Sequence, residues 1–157
     1  LRRLGELTGT AAAADVAADA LEAELARLRS RYQRRAPIRV LYQIWDRPIY
    51  TVGGRHVITD ALRLCGATNV FEELNTAAPA ITREAVLARD PQLILASAPS
   101  ESARLWLEEW RRYPSISAVR DDRLVVYSDE RIDRMGPSVI EATPHLCEVI
   151  EAARKEK

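Results

Sequence analysis

The side chains that most often carry out chemistry are few in this 157-residue chain, and they are widely spaced. They are two cysteines and two histidines: Cys65, Cys147, His56 and His145. None of them lies in a CxxC, HxxxH or HExxH pattern, so their spacing does not predict a zinc site. There is also no GxSxG, Walker or GxGxxG motif. We therefore predict a protein that is not an enzyme and has no cofactor or metal. The alternative is an α/β enzyme that uses His56 as a base.

The composition argues against a nucleic-acid-binding protein and indicates a folded globular domain. Lys+Arg and Asp+Glu both number 23, which gives a formal net charge of zero and argues against a nucleic-acid partner. Apolar residues make up 47% and charged residues 29% of the chain, as in a folded globular domain. No apolar run approaches the length of a membrane span.

An aromatic stretch provides the first candidate site. The segment VLYQIWDRPIYTVGG (residues 40–54) begins as a buried strand and then presents Trp45, Arg47 and Tyr50 before two glycines. Ligands of open α/β sheets bind beside the carboxyl ends of strands, and glycine permits a close approach of the backbone. Either the aromatic side chains cap the core, or they form a binding wall.

A charged stretch follows a second strand. In YSDERIDRMGP (residues 127–137), five charged residues come directly after the predicted strand RLVVY. If the two strands are parallel, their ends lie at the same edge of the sheet. This stretch is either a solvated loop or the polar part of the same site.

The order of elements predicts the fold class. Helical spacing predicts helices over residues 10–32, 55–64, 82–89, 100–113 and 137–153. Apolar runs predict strands over residues 38–45, 69–71, 92–97 and 123–128. Thr10 and Thr82 are candidate helix N-caps, and Gly66 is a candidate helix stop. This alternation predicts an α/β fold, with one mostly parallel sheet covered by helices and preceded by a long helix.

Several motifs together resemble a known family. The segments are WDRP followed by GG, CGATNVF, PAITREAVLARDPQLIL and AVRDDRLVVYSDERIDRMGPS, with LGELTG before the long helix. In this order they are similar to the carboxyl-terminal lobe of the substrate-binding proteins of ABC importers. The most similar group captures cobalamin, siderophores and haem. The resemblance covers essentially the whole chain and implies a Rossmann-like lobe.

The resemblance implies a domain organisation and a function. Residues 1–36 would form the helix that connects two lobes, residues 37–157 would form the carboxyl-terminal lobe, and the amino-terminal lobe would be absent. The protein would capture cobalamin or a related corrinoid in the periplasm, or as a lipid-anchored extracytoplasmic protein, and deliver it to an ABC importer permease dimer. A siderophore or haem is the alternative ligand within the family. A large planar ligand would lie against the aromatic residues.

The resemblance also implies roles for individual residues. The ligand-binding residues would be Trp45, Arg47, Pro48, Tyr50, Gly54, Pro79, Arg131 and Arg134. Glu84 would dock the lobe onto the permease, and Cys65 and Cys147 would form a disulfide, which an extracytoplasmic compartment permits. Two positions differ from the family pattern: Ser138 replaces the last arginine of Arg-x-Gly-Pro-Arg, and Ala78 replaces the aromatic residue before the proline of PAI.

Overall fold

The computed structural model describes residues 1–132 and 136–155. Within these ranges the helices are α1 (Arg2–Thr8), α2 (Ala11–Tyr32), α3 (Val57–Leu64), α4 (Arg83–Arg89), α5 (Ser100–Trp110), α6 (Ser117–Arg120) and α7 (Pro137–Lys155). The strands are β1 (Ile38–Trp45), β2 (Ile49–Thr51), β3 (Ala67–Asn69), β4 (Ala80–Ile81), β5 (Leu93–Ser97) and β6 (Leu124–Tyr127).

The strands form one open sheet in which β1 is central. The order along the sheet is β4-β2-β1-β5-β6, and β3 pairs with the amino-terminal part of β1. The pairs β1/β3, β1/β5 and β5/β6 are parallel, whereas β2 pairs antiparallel with β1 and β4 pairs antiparallel with β2. The predicted α/β fold with a mostly parallel sheet is confirmed.

Helices cover both faces of the sheet. Along β1, Val40 and Tyr42 pack into the core beneath α2, α3 and α7, while Leu41 packs into the core beneath α4, α5 and α6. Strand β5 alternates in the same way, with Leu95 on the first face and Ile94 on the second. Because successive side chains of a strand point to opposite faces, an apolar run buried on both sides is typical of a parallel sheet.

The long predicted helix is present, with two differences at its start. A short helix, α1, precedes it and packs so closely on it that a Cβ atom at Gly5 would overlap the Cβ of Ala14. Thr10 occupies the N-cap position of α2 but makes no capping hydrogen bond with its side chain; its hydroxyl lies 2.8 Å from that of Thr8. Glu24 and Arg27 of α2 form an ion pair at 2.6 Å.

Other element boundaries also differ from the prediction. The antiparallel strands β2 and β4, which are only three and two residues long, were not predicted. Strand β3 lies two residues before its predicted position, α5 ends at Trp110 rather than Tyr113, and α6 was not predicted. The helix stop at Gly66, with φ of 68°, and the N-cap at Thr82 are confirmed.

The predicted disulfide between Cys65 and Cys147 is confirmed. Cys65 follows the last residue of α3 and Cys147 lies in α7, and both are fully buried in the core on that face of the sheet. Arg154 supports the same junction, because its guanidinium donates hydrogen bonds to the carbonyl oxygens of Cys65 and Gly66 at 2.9 and 2.7 Å. In the part of the chain that the structure describes, no helix is both long and apolar enough to cross a membrane.

Candidate functional site

The carboxyl ends of β1, β5 and β6 form two adjoining cavities at one edge of the sheet. The larger has a volume of about 730 Å³ and is lined by Ile44, Trp45, Asp46, Arg47, Ser97, Ala98, Pro99, Ser102 and Trp106. The smaller, of about 450 Å³, is lined by Ser97, Ala98, Pro99, Ser100, Tyr127, Ser128, Asp129 and Glu130. Residues 97–99 line both cavities. The two stretches that follow β1 and β6 therefore border the same edge, as expected for a ligand site in an α/β sheet.

Two tryptophans form an aromatic corner in the larger cavity. Trp45, at the end of β1, is 58% exposed, so it does not cap the core. Its ring centroid lies 6.3 Å from that of Trp106 in α5, and the two ring planes are inclined by 60°. Trp106 lies within the helix predicted over residues 100–113, and the sequence did not identify it as a site residue. An exposed aromatic ring on the wall of a concave site is suited to bind a flat apolar group.

A buried glutamine holds the two sides of this corner together. The Gln43 side chain is fully buried in β1, and its Oε1 accepts a 2.7 Å hydrogen bond from the indole N–H of Trp110 in α5. Its Nε2 donates to the carbonyl oxygen of Trp45 at 3.1 Å. Trp110 lies one helical turn after Trp106. Since buried polar groups need partners, Gln43 fixes α5 relative to the end of β1 and so sets the spacing of Trp45 and Trp106.

A polar cavity of about 590 Å³ lies next to the aromatic corner. It is lined by Asp46, Arg47, Pro48, Ile49, Ile81, Arg83, Glu84 and Glu109. Arg47 and Asp46 border both this cavity and the aromatic one, and they form an ion pair at 3.0 Å. The Arg47 side chain is well exposed, so its guanidinium can reach a polar group of a ligand at the rim.

The charged loop after β6 is held by Asp129. Its carboxylate accepts hydrogen bonds from the Arg131 guanidinium at 2.7 and 2.9 Å and lies 3.4 Å from Nδ1 of His145 in α7. The hydrogen bonds from Arg131 lower the pKa of Asp129 to about 2. Asp129 is therefore ionised throughout the neutral range. His145 also stacks on Tyr127, with ring centroids 5.4 Å apart. Arg131 is thus positioned beside the smaller cavity.

Four other predicted ligand-binding residues do not line the aromatic cavity. Tyr50 is half-buried in β2, and Pro79 is buried, with its carbonyl accepting from the Thr51 N–H. Pro48 is exposed and lines the polar cavity. Gly54 packs on the protein itself, since a Cβ there would overlap the carbonyl oxygen of Glu72. Arg134 lies outside the described residues.

His56 has a structural function at the start of α3. Its side-chain Nδ1 accepts a hydrogen bond from the N–H of Ile58, so the imidazole caps the helix. Among residues 1–132 and 136–155, no group of three or more His, Cys, Asp or Glu side chains could hold a metal ion.

Comparison with known sequences supports, along most of the chain, the family that the motifs resemble. Residues 1–130 match the periplasmic binding protein family. The vitamin B12-binding protein of Vibrio cholerae serotype O1 is 30% identical over 130 residues, which cover 82% of this chain and 46% of the relative. That of Photorhabdus laumondii is 28% identical over 148 residues, covering 94% of this chain and 52% of the relative. The chain spans about half the length of these curated relatives.

Solved structures agree with the sequence relatives. The periplasmic vitamin B12 binding protein of Vibrio cholerae superimposes with a TM-score of 0.71 at 30% identity, over 85% of this chain and 52% of that one. The periplasmic heme-binding protein BhuT reaches a TM-score of 0.80 at 19% identity, over 97% of this chain and 60% of that one, and shows the shared fold alone. The chain belongs to the periplasmic binding protein family.

Proposed function

We propose that this chain is the ligand-binding carboxyl-terminal lobe of a periplasmic protein that captures cobalamin or a related corrinoid for an ABC importer. In this proposal residues 1–36 form the connecting helix and residues 37–157 the lobe, and an amino-terminal lobe supplies the opposite wall of the cleft. The observation that carries the proposal is the exposed Trp45 on the wall of the aromatic cavity. The names of the relatives that are about 30% identical support cobalamin as the ligand.

The chemistry of the wall suits a corrinoid. A corrin ring has a broad apolar face and carries amide side chains at its periphery. Trp45 offers an aromatic face that a ring can cover at low entropic cost. Arg47 lines the aromatic cavity, and Arg131 is bound by Asp129, which lines the adjoining cavity. Their guanidinium groups can donate hydrogen bonds to amide oxygens. Membrane contact would occur only through the permease or through a lipid anchor.

Gel filtration of the complete protein with a coloured ligand tests the proposal. Cyanocobalamin, haemin and a ferric hydroxamate are each mixed with the protein, and absorbance in the visible range is followed through the protein peak. We expect cyanocobalamin to co-elute in a one-to-one ratio. Co-elution of haemin or the hydroxamate instead would assign the protein to another ligand of the family. Absence of all three from the protein peak would refute the proposal.

We predict that residues 1–157 alone bind cyanocobalamin at least a hundred-fold more weakly than the complete protein. One wall provides only part of the contacts, whereas the loss of translational and rotational freedom on binding is nearly the same. Titration calorimetry of both proteins measures the ratio. Equal affinities would show that this lobe provides the whole site.

Glu84 is the residue that we propose to dock the lobe onto the permease. It is exposed in the first turn of α4, beside the polar cavity. Hydrogen bonds from its own backbone N–H and from Thr82 lower the pKa of its carboxyl group, so it is ionised at neutral pH. An exposed carboxylate at a helix start is suited to pair with an arginine on a partner surface, a contact that sets orientation and association rate.

We predict that Glu84→Arg abolishes import and leaves cyanocobalamin affinity within about two-fold of the wild type. Glu101→Arg is the matched control, because Glu101 is also the exposed second residue of a helix, α5. The measurements are vitamin uptake and co-purification with the permease. Normal uptake by Glu84→Arg, or an equal loss in Glu101→Arg, would contradict a docking role specific to Glu84.

A further inference from the structure

We infer that the corner between Trp45 and Trp106 binds a heteroaromatic ring that projects from the ligand, and not the macrocycle itself. This inference rests on the proposed function and specifies which part of a corrinoid meets α5. It makes Trp106 a residue that determines specificity among corrinoids.

The shape of the corner carries the inference. The two indole planes are inclined by 60° with centroids 6.3 Å apart, and both residues line the same cavity, so the cavity has two aromatic walls that are not parallel. A broad planar macrocycle can lie on one face of Trp45 but cannot be parallel to both indole planes at once. A ring of one or two fused cycles can stack on one indole and present its edge to the other, and both are favourable geometries for aromatic pairs.

The lining of the cavity suits a heterocycle. Ser97 and Ser102 each bring a hydroxyl group to the cavity wall, and Pro99 and Ala98 add apolar surface between them. A hydroxyl group can donate to or accept from a ring nitrogen or an exocyclic amine. The cavity volume of about 730 Å³ lies within the range of small-molecule sites, and it holds such a ring together with its sugar.

The backbone segments that carry the corner are joined by hydrogen bonds. Gln43 joins the Trp110 indole to the carbonyl oxygen of Trp45 through two hydrogen bonds of 2.7 and 3.1 Å, and Trp110 is 2% exposed. Because Trp106 precedes Trp110 by one turn of α5, the helix that carries Trp106 is held against the backbone of Trp45 before a ligand binds. Preorganised walls lower the entropic cost of holding a ring.

The ring could be the lower nucleotide base or the upper nucleoside of a corrinoid, and three corrinoids distinguish these two sources. Dicyanocobinamide lacks both the lower nucleotide base and an upper nucleoside, cyanocobalamin carries the lower base alone, and adenosylcobalamin carries both. The affinity of the complete protein for each is measured by titration calorimetry, for the wild type and for Trp106→Leu. Leu105→Ala is the control, because Leu105 is the adjacent residue of α5, is 65% exposed and does not line the cavity.

We expect Trp106→Leu to lower the affinity for a ring-bearing corrinoid about ten-fold, the scale of stacking between a base and an aromatic side chain. Affinity for dicyanocobinamide should stay within two-fold, and Leu105→Ala should change none of the three. A loss for both cobalamins assigns the lower base to the corner, and a loss for adenosylcobalamin alone assigns the upper nucleoside. Trp106→Phe should recover part of the loss.

Two outcomes would overturn the inference. An equal loss for all three corrinoids would show that Trp106 contacts the macrocycle or supports the fold, and unchanged affinities would place Trp106 outside the site. Melting temperatures of the variants separate loss of folding from loss of contact. Failure of the proposed function is distinct from both, because the wild type would then bind none of the three, and the inference would fall with it.

Discussion

Replacement of both Cys65 and Cys147 by alanine is expected to lower the free energy of unfolding by about 4 kcal/mol. The two residues are 82 positions apart, and opening a loop of this length returns roughly that much conformational entropy to the unfolded chain. Both side chains are fully buried between α3 and α7, so the two alanines also remove buried sulfur atoms from the core and do not offset the loss. Denaturant unfolding of the two proteins, monitored by far-UV circular dichroism, measures the difference.

Two controls accompany this measurement. Reduction of the wild type should reproduce most of the loss, because it breaks the same bond without changing the side chains. Arg154→Met leaves the disulfide in place and removes the hydrogen bonds to the carbonyl oxygens of Cys65 and Gly66 together with the ion pair to Glu151, and it should cost about 2 kcal/mol. A double variant as stable as the wild type would contradict the prediction, as would two reactive thiols in the oxidised, denatured protein.

Trp45→Ala is expected to weaken cyanocobalamin binding by the complete protein about thirty-fold, or about 2 kcal/mol, the scale of an aromatic anchor in an interface. The free energy of unfolding should change by less than about 1 kcal/mol, because the Trp45 side chain is 58% exposed. A melting curve and a calorimetric titration on the same variant measure the two effects.

Trp110→Phe is the matched comparison for Trp45→Ala. Trp110 is 2% exposed and donates to Gln43, so its replacement leaves a buried amide oxygen without that donor and should cost about 1–3 kcal/mol of stability. Tyr50→Ala tests the other predicted aromatic contact, and a smaller loss of affinity is expected because Tyr50 does not line the aromatic cavity. Unchanged affinity in Trp45→Ala would falsify the wall that we propose.

Local signals in the sequence were sufficient for the main elements of the fold. The apolar runs at β1 and β5 predict strands buried on both faces, and Thr82 and Gly66 mark helix ends through a side-chain cap and a left-handed residue. Strand β2 could not be predicted, since three residues carry no periodic pattern and their conformation depends on pairing with β1. Helix α1 depends in the same way on its packing against α2.

The candidate site could be predicted only where its residues lie at or just after the end of a strand. Trp45 is the last residue of β1, and Asp129 lies two residues after the end of β6. Trp106 lies in the middle of α5. Helical periodicity assigns it to the apolar side of a helix but does not show that this side faces the end of β1. Gln43 also indicates the site from the sequence, although the prediction did not use it. A polar residue within a buried strand requires a hydrogen-bond partner, and in the structure that partner is Trp110.

A crystal structure of the complete protein with cyanocobalamin tests the central claim most directly, namely that the end of β1 is the wall on which a corrinoid lies. The measurement is the shortest distance between ligand carbon atoms and the Trp45 indole. We expect about 4 Å, the separation of apolar groups in contact, with the amide side chains of the corrin near Arg47. A corrin bound elsewhere on the lobe, with the Trp45 indole still exposed to solvent, would contradict the account.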